Sequence, residues 1–208
     1  MDDRYSGRFL VDGHDLRDID HDSYLRCVSW APQTPFFFSD SIRDNLCPRN
    51  GFPTDRLHGY AAALGLDSVI DATPEGYDTK LGDQGVRLSV GQYHKLTAMR
   101  AILKDASILL LDEVAASMDI ESERGLLQGI ISLRSPDCLT VLVTHHIPIT
   151  VEPWVDDIIV LVNGRIAEKG SSAQLWEKGG FYHHWLSLIQ EPSGKIQRRY
   201  AQPSELIS

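Results

Sequence analysis

No two of the 16 glycines stand five positions apart, so the pattern G-x-x-x-x-G-K-[ST], the loop that folds around a nucleotide's phosphates, occurs nowhere in the 208 residues. The one Gly-Lys pair, Gly194-Lys195, runs into Ile196 within a polar stretch. Cysteine is scarce. Cys27, Cys47 and Cys138 are odd in number and widely spaced without C-x-x-C, which disfavours a disulfide framework and a zinc site and fits a reducing compartment. Apolar runs such as Ile158 to Val162 fall far short of the ~20 residues of a membrane-spanning helix. The start, Met1-Asp2-Asp3-Arg4, is too acidic for a secretory signal, so any membrane link is expected to come through a partner. Positive charge is also short, with 20 Lys and Arg against 29 Asp and Glu for a net charge of -9. Without clustered Lys and Arg, a nucleic-acid backbone is excluded as the main partner, and Lys195-Ile196-Gln197-Arg198-Arg199 reads as a solvated tail.

What is present is a chain with 42% apolar residues, enough for one sizeable core or for one core with a smaller lobe. Arg8-Phe9-Leu10-Val11 reads as a strand stopped by Asp12-Gly13, and Cys27 to Ala31 as a strand ended by Pro32, which puts Gln33 at a strand exit. Ser39 or Ser41 caps a short helix. Thr54 to Ala72 has helical spacing with a break at Gly65, giving two short helices in a lobe of about residues 48–105, and Tyr77 to Arg87 reads as a loop. A helix from Val90 to about Leu103 carries Leu96, Met99, Ala101 and Leu103 on one side and Arg100 on the other. Then follow a strand at Ile108 to Leu111, a helix from Ile120 to Leu133 and a strand at Thr140 to Val143, an alternation that predicts a parallel α/β sheet. Asp157 to Val162, Asn163-Gly164 and Arg165 to Lys169 form a hairpin. Ser171 or Ser172 caps a helix through Trp176, Phe181 to Gln190 is a last amphipathic helix, and residues 191–208 are a polar tail expected to be disordered.

Two segments carry chemistry. Leu88-Ser89-Val90-Gly91-Gln92 opens onto a helix and offers a hydroxyl and backbone N–H groups at its positive end, an anion site by geometry and dipole. Ile108-Leu109-Leu110-Leu111-Asp112-Glu113 is an apolar strand that delivers two carboxylates at its end. Each has a plainer reading, the first as a helix cap and the second as acidic residues closing a strand. Their joint occurrence points to nucleotide chemistry.

These residues resemble the ATP-binding cassette domain of ABC transporters over roughly Ser6 to Leu188. Leu88 to Gln92 matches the family's signature loop, Asp112 the Walker B aspartate, Glu113 the catalytic glutamate, Ala116-Ser117-Met118-Asp119 the D-loop, His145 the switch histidine and Gln33 the Q-loop. Val90 in the signature, Pro35-Phe36-Phe37-Phe38, Ser41 to Leu46 and Leu81-Gly82-Asp83-Gln84-Gly85 look most like the second cassette of the multidrug-resistance-associated subfamily. Tyr93-His94-Lys95 and Ala98-Met99-Arg100-Ala101 depart from the family's usual continuation. The resemblance implies an incomplete P-loop NTPase (RecA-like) parallel-sheet core over residues 1–190 with an inserted helical subdomain, its Walker A loop not in this chain.

The resemblance also implies roles. Two cassettes pack head to tail, so that Ser89, Val90, Gly91 and Gln92 of one grip the ATP held by the other, with Asp119 beside the nucleotide. Asp112 and Gln33 hold Mg²⁺, Glu113 polarises the attacking water, and His145, or its neighbour His146, contacts the γ-phosphate. Partners are a second cassette and a transporter's transmembrane domain, received on the Phe36 to Phe38 surface at the cytoplasmic face of a membrane. The alternatives are a non-catalytic module supplying its signature loop in trans and a soluble cassette protein. Without a phosphate loop the lone chain is expected neither to turn over nor to hold ATP tightly, and its sheet is expected to be marginal.

Overall fold

The computed structural model describes residues 6–47, 52–82, 85–116, 118–145 and 154–190. The chain divides into two compact units, residues 1–144 and 145–208. The stretches 48–51 and 191–208, and with them the tail expectation, lie outside the described residues, as do Asp83, Gln84, Ser117 and His146.

The first unit opens with β1 (Leu10–Val11) and β2 (His14–Asp15), a two-stranded antiparallel ribbon. Its turn is Asp12-Gly13 with both φ positive, 48° and 81°, the geometry that matches strand twist in a tight hairpin. The sequence reading has the strand and the turn but not the return strand. Helix α1 (His21–Cys27), capped by Asp20 accepting from the Ser23 N–H, was likewise not anticipated, and it claims Cys27 from the strand that follows.

The core is a three-stranded parallel sheet in the order β3 (Val28–Ala31), β4 (Ile108–Asp112), β5 (Leu139–Val143). Between β3 and β4 lie α2 (Ile42–Leu46, capped by Ser41), α3 (Thr54–Ala63), α4 (Asp67–Asp71), a 3-10 turn at Gly76–Asp78 and α5 (Val90–Leu103). Helix α6 (Ile120–Leu133) links β4 to β5. Leu96, Met99, Ala101 and Leu103 of α5 are buried as the spacing predicts, and α5 packs on β3, β4 and α6. The Ser29 hydroxyl donates to the Ala101 carbonyl at 2.7 Å and fastens helix to sheet. Where α3 meets α6, a methyl group on Gly129 would sit 2.1 Å from the Ala63 carbonyl oxygen, so only glycine lets the two backbones approach.

Strand alternation divides the sheet into two unlike faces. Ser29, Ala31, Leu109 and Leu111 are buried on the helix side. In register on the opposite side stand Trp30, Leu110 and Val141, with Trp30 59% and Val141 41% exposed, flanked by the exposed Leu139 and Val143. Parallel sheets are normally covered on both faces. Here Trp30, Leu139, Val141 and Val143 stay exposed on the second face, and β5 is an edge strand.

The second unit pairs β6 (Ile158–Val162) with β7 (Arg165–Gly170) through Asn163-Gly164, and adds α7 (Ser172–Lys178, capped by Ser171) and α8 (Phe181–Gln190). Leu175, Tyr182 and Leu186 form its core against Ile158 and Val160. The buried Glu168 carboxylate accepts from the Phe181 and Tyr182 N–H groups at 2.9 and 3.0 Å, satisfying the start of α8.

Candidate functional site

Parallel register sets the site. Val28 through Ala31 pair with Ile108 through Leu111, a constant offset of 80, and the same offset two residues further carries Gln33 to Glu113. Gln33 donates from Nε2 to Glu113 Oε2 at 2.6 Å. Asp112, half-buried, is the last residue of β4 and lies opposite Val143. Glu113 then leaves the strand in a left-handed conformation, φ 48°, its N–H donating to the Val143 carbonyl at 2.9 Å. A non-glycine residue in that conformation is uncommon and costs energy that the surrounding contacts repay. All three predicted residues gather at the C-terminal edge of the sheet, where open α/β sheets bind ligands.

The turn after Glu113 buries Val114 and Ala115 and brings the chain to Asp119, the N-cap of α6. Both Asp119 oxygens are used there, accepting from the Ser122 N–H and Ser122 Oγ at 2.9 Å each. Those two bonds hold its carboxyl below the usual range. In the structure Asp119 serves as the N-cap of α6.

Ser89 caps α5. Its Oγ accepts from the Gln92 N–H at 3.2 Å while Gln92 Oε1 accepts from the Ser89 N–H at 2.7 Å, a reciprocal capping box. Because the cap uses Ser89 Oγ as an acceptor, the hydroxyl proton is left to donate outward. Ser89 is exposed and Val90 is 60% exposed, so this turn faces solvent. A methyl group on Gly91 would come within 3.8 Å of Met118 Cγ, which places the first turn of α5 beside the segment leading to Asp119. Sequence reasoning did not anticipate that proximity, because the two residues belong to different elements.

On the Phe36 to Phe38 surface, Phe36 and Phe38 are 62% and 64% exposed and meet edge to face with centroids 5.1 Å apart. Phe37 turns inward under the Arg100 guanidinium, 4.8 Å from its ring centroid, and Arg100 also donates to the Phe36 carbonyl at 2.9 Å. Arg100 thus serves to hold this loop. His145 is exposed, two residues past β5, and is the first residue of the second unit. Among the described residues, no three His, Cys, Asp or Glu side chains form a metal cluster, and no helix is long and apolar enough to cross a membrane.

Comparison with known proteins agrees with this arrangement. A protein of Staphylococcus aureus strain NCTC 8325 / PS 47 named as a multidrug export ATP-binding/permease protein is 34% identical over 184 residues, 88% of this chain and 31% of that one. Its counterpart in the bovine strain RF122/ET3-1 is 33% identical over the same shares. Among solved structures, a bacterial Atm1-family ABC exporter with ATP bound superposes with a TM-score of 0.79 at 29% identity, covering 88% of this chain and 32% of that one. The chain thus spans about a third of the length of the relatives it matches. The fold is that of an ABC exporter nucleotide-binding domain, an α/β P-loop NTPase. With the ABC transporter family pattern matching residues 1–116, more than half of its length, this chain belongs to the ABC transporter family.

Proposed function

We propose that the chain is the ATP-binding and ATP-hydrolysing motor domain of an exporter-type ABC transporter, acting at the cytoplasmic face of a membrane through transmembrane helices outside the 208 residues. The observation that carries this reading is the Gln33–Glu113 contact beside Asp112 at the end of adjacent parallel strands. Asp112 and the Gln33 carbonyl oxygen are hard oxygen donors of the kind Mg²⁺ takes when phosphates and water complete its shell. The bound ion would neutralise charge on the phosphates. Glu113 orients the attacking water, and His145 hydrogen-bonds the γ-phosphate. Ser89, Val90, Gly91 and Gln92 present a hydroxyl and N–H groups to the ATP of a second cassette packed head to tail, with Asp119 at the same boundary. The exposed Phe36 and Phe38 receive the transmembrane partner.

The phosphate-binding loop comes, in this reading, from polypeptide outside the 208 residues. The bare sheet face supports it. The strand order β3-β4-β5 with right-handed crossovers puts both connecting helices on one face, and a right-handed crossover running the other way would lay its helix on the opposite face and its strand on the open β5 edge. Val90 and the Phe36 to Phe38 loop favour the multidrug-resistance-associated subfamily. The transported molecule would be chosen by the transmembrane helices.

A second reading, a non-catalytic module serving a complete cassette in trans, is favoured by the intact cap at Ser89. One experiment separates the two. The purified chain alone should show no Glu113-dependent turnover, and mixed with a complete cassette it should raise ATP hydrolysis, an effect lost on Ser89→Arg. Supplying the strand-loop-helix segment should then give turnover lost on Glu113→Gln if the motor reading holds, and no change if only the trans role exists. Absence of both effects would overturn both.

A further inference from the structure

We propose that Gln33 acts on Glu113 through its amide nitrogen, as the positioning residue that fixes the carboxylate at the sheet edge before a nucleotide arrives; the inference deepens the motor reading and rests on it for its functional meaning. The atoms leave one choice. An ionised carboxylate only accepts hydrogen bonds, so the end of the Gln33 amide lying 2.6 Å from Glu113 Oε2 is the NH₂ end. The carbonyl oxygen is then at the other end of the amide, available to a cation. A single side chain in this way holds the carboxylate with one atom and would offer a bound cation another.

Both halves of the contact are anchored. Gln33 follows β3 by two residues, and Glu113 follows β4 by one, so the ladder from Val28–Ile108 to Ala31–Leu111 already aligns them. The main chain of Glu113 is held from the other side by its N–H on the Val143 carbonyl, in a left-handed conformation that aims the side chain away from the strand path. The carboxylate is therefore fastened from two strands, its backbone from β5 and its side chain from beyond β3. A glutamate otherwise spends its conformational freedom when it is ordered for reaction, and a charge-assisted bond from a fixed neighbour removes that cost in advance.

This assignment separates substitutions that the cation role alone would rank differently. Gln33→Glu retains an oxygen donor but loses both N–H donors and sets two carboxylates face to face. Gln33→Leu loses everything. If the oxygen alone mattered, Gln33→Glu would be the milder change; with the amide nitrogen positioning Glu113, it is at least as damaging.

The test uses the ¹⁵N-labelled 208-residue chain without nucleotide. At constant pH the Gln33 side-chain NH₂ resonances should move on Glu113→Gln, as loss of a charge-assisted acceptor requires. Independently, the Gln33→Lys variant treated with a carbodiimide should yield a covalent link between positions 33 and 113, seen in the digested protein and lost when Glu113→Gln is added. NH₂ resonances left unmoved by Glu113→Gln, or failure to link the two positions, would overturn the proposal. If the two signatures are found but supplying the strand-loop-helix segment gives no Glu113-dependent turnover, the motor reading fails and the contact stands. If that turnover is found without them, only the positioning role fails.

Discussion

The two faces of the parallel sheet are made by the same three strands and by the same kinds of residue, yet one is closed and the other open. Ala31 and Leu111 lie at 0% and 2% exposure on the face that packs against α5, while Trp30 and Val141 on the other face stand at 59% and 41%. Apolar composition is therefore a poor guide to burial here. What decides it is where the crossovers run, because successive right-handed connections in one direction lay every helix on one side.

The largest effect that would sharpen this contrast is a truncation on each face. Leu111→Ala should lower stability by about 3 kcal/mol, since a buried leucine leaves both lost transfer energy and a cavity. Val141→Ala should change it by no more than about 0.5 kcal/mol, the range of an exposed site. Chemical denaturation of the two variants measures both, and equal losses would mean that the open face is covered in solution. Next comes Gly129→Ala, where the added methyl meets the Ala63 carbonyl oxygen and forces α3 off α6, at a cost of about 1 to 3 kcal/mol in the same measurement. Ser89→Ala removes the α5 cap and should cost about 1 kcal/mol, independent of any nucleotide. Smallest is a pH effect at α6. Because the folded carboxyl of Asp119 is held below its ordinary range, its stabilisation is present above about pH 4 and is lost as pH falls through the folded value. The difference between native protein and Asp119→Asn in an acid titration followed by circular dichroism should therefore close toward low pH.

Much of this was legible in the residues, for reasons that can be stated. Helices α5 and α6 begin and end where the sequence places them because Ser89 with Gln92, and Asp119 with Ser122, are local signals that need no tertiary context. The hairpin at Asn163-Gly164 and the break at Gly65 are local in the same sense. Helix α1 escaped because His-Asp-Ser-Tyr-Leu-Arg-Cys carries no apolar stripe, and its cap at Asp20 was the one available sign. The inward Glu168, which satisfies the start of α8 from a strand 13 residues earlier, has no periodic signature at all. Within the site, the residue types were readable, and so was the strand-exit position of Gln33. The direct bond from Gln33 to Glu113 was not, because it depends on which strands become neighbours.

That bond has a consequence for how the molecule tolerates change. Gln33 and Glu113 lie 80 positions apart and the chain between them wanders through a whole helical lobe, but nothing in that excursion sets their alignment, which the ladder between two short strands determines by itself. Insertions or deletions between α2 and α5 should leave the pair matched, since even doubling a loop adds only about 0.6 kcal/mol of closure entropy. Deleting one residue inside β3 is another matter: it would turn Trp30 into the interior, push Ala31 out, and slide the amide off its carboxylate in the same step.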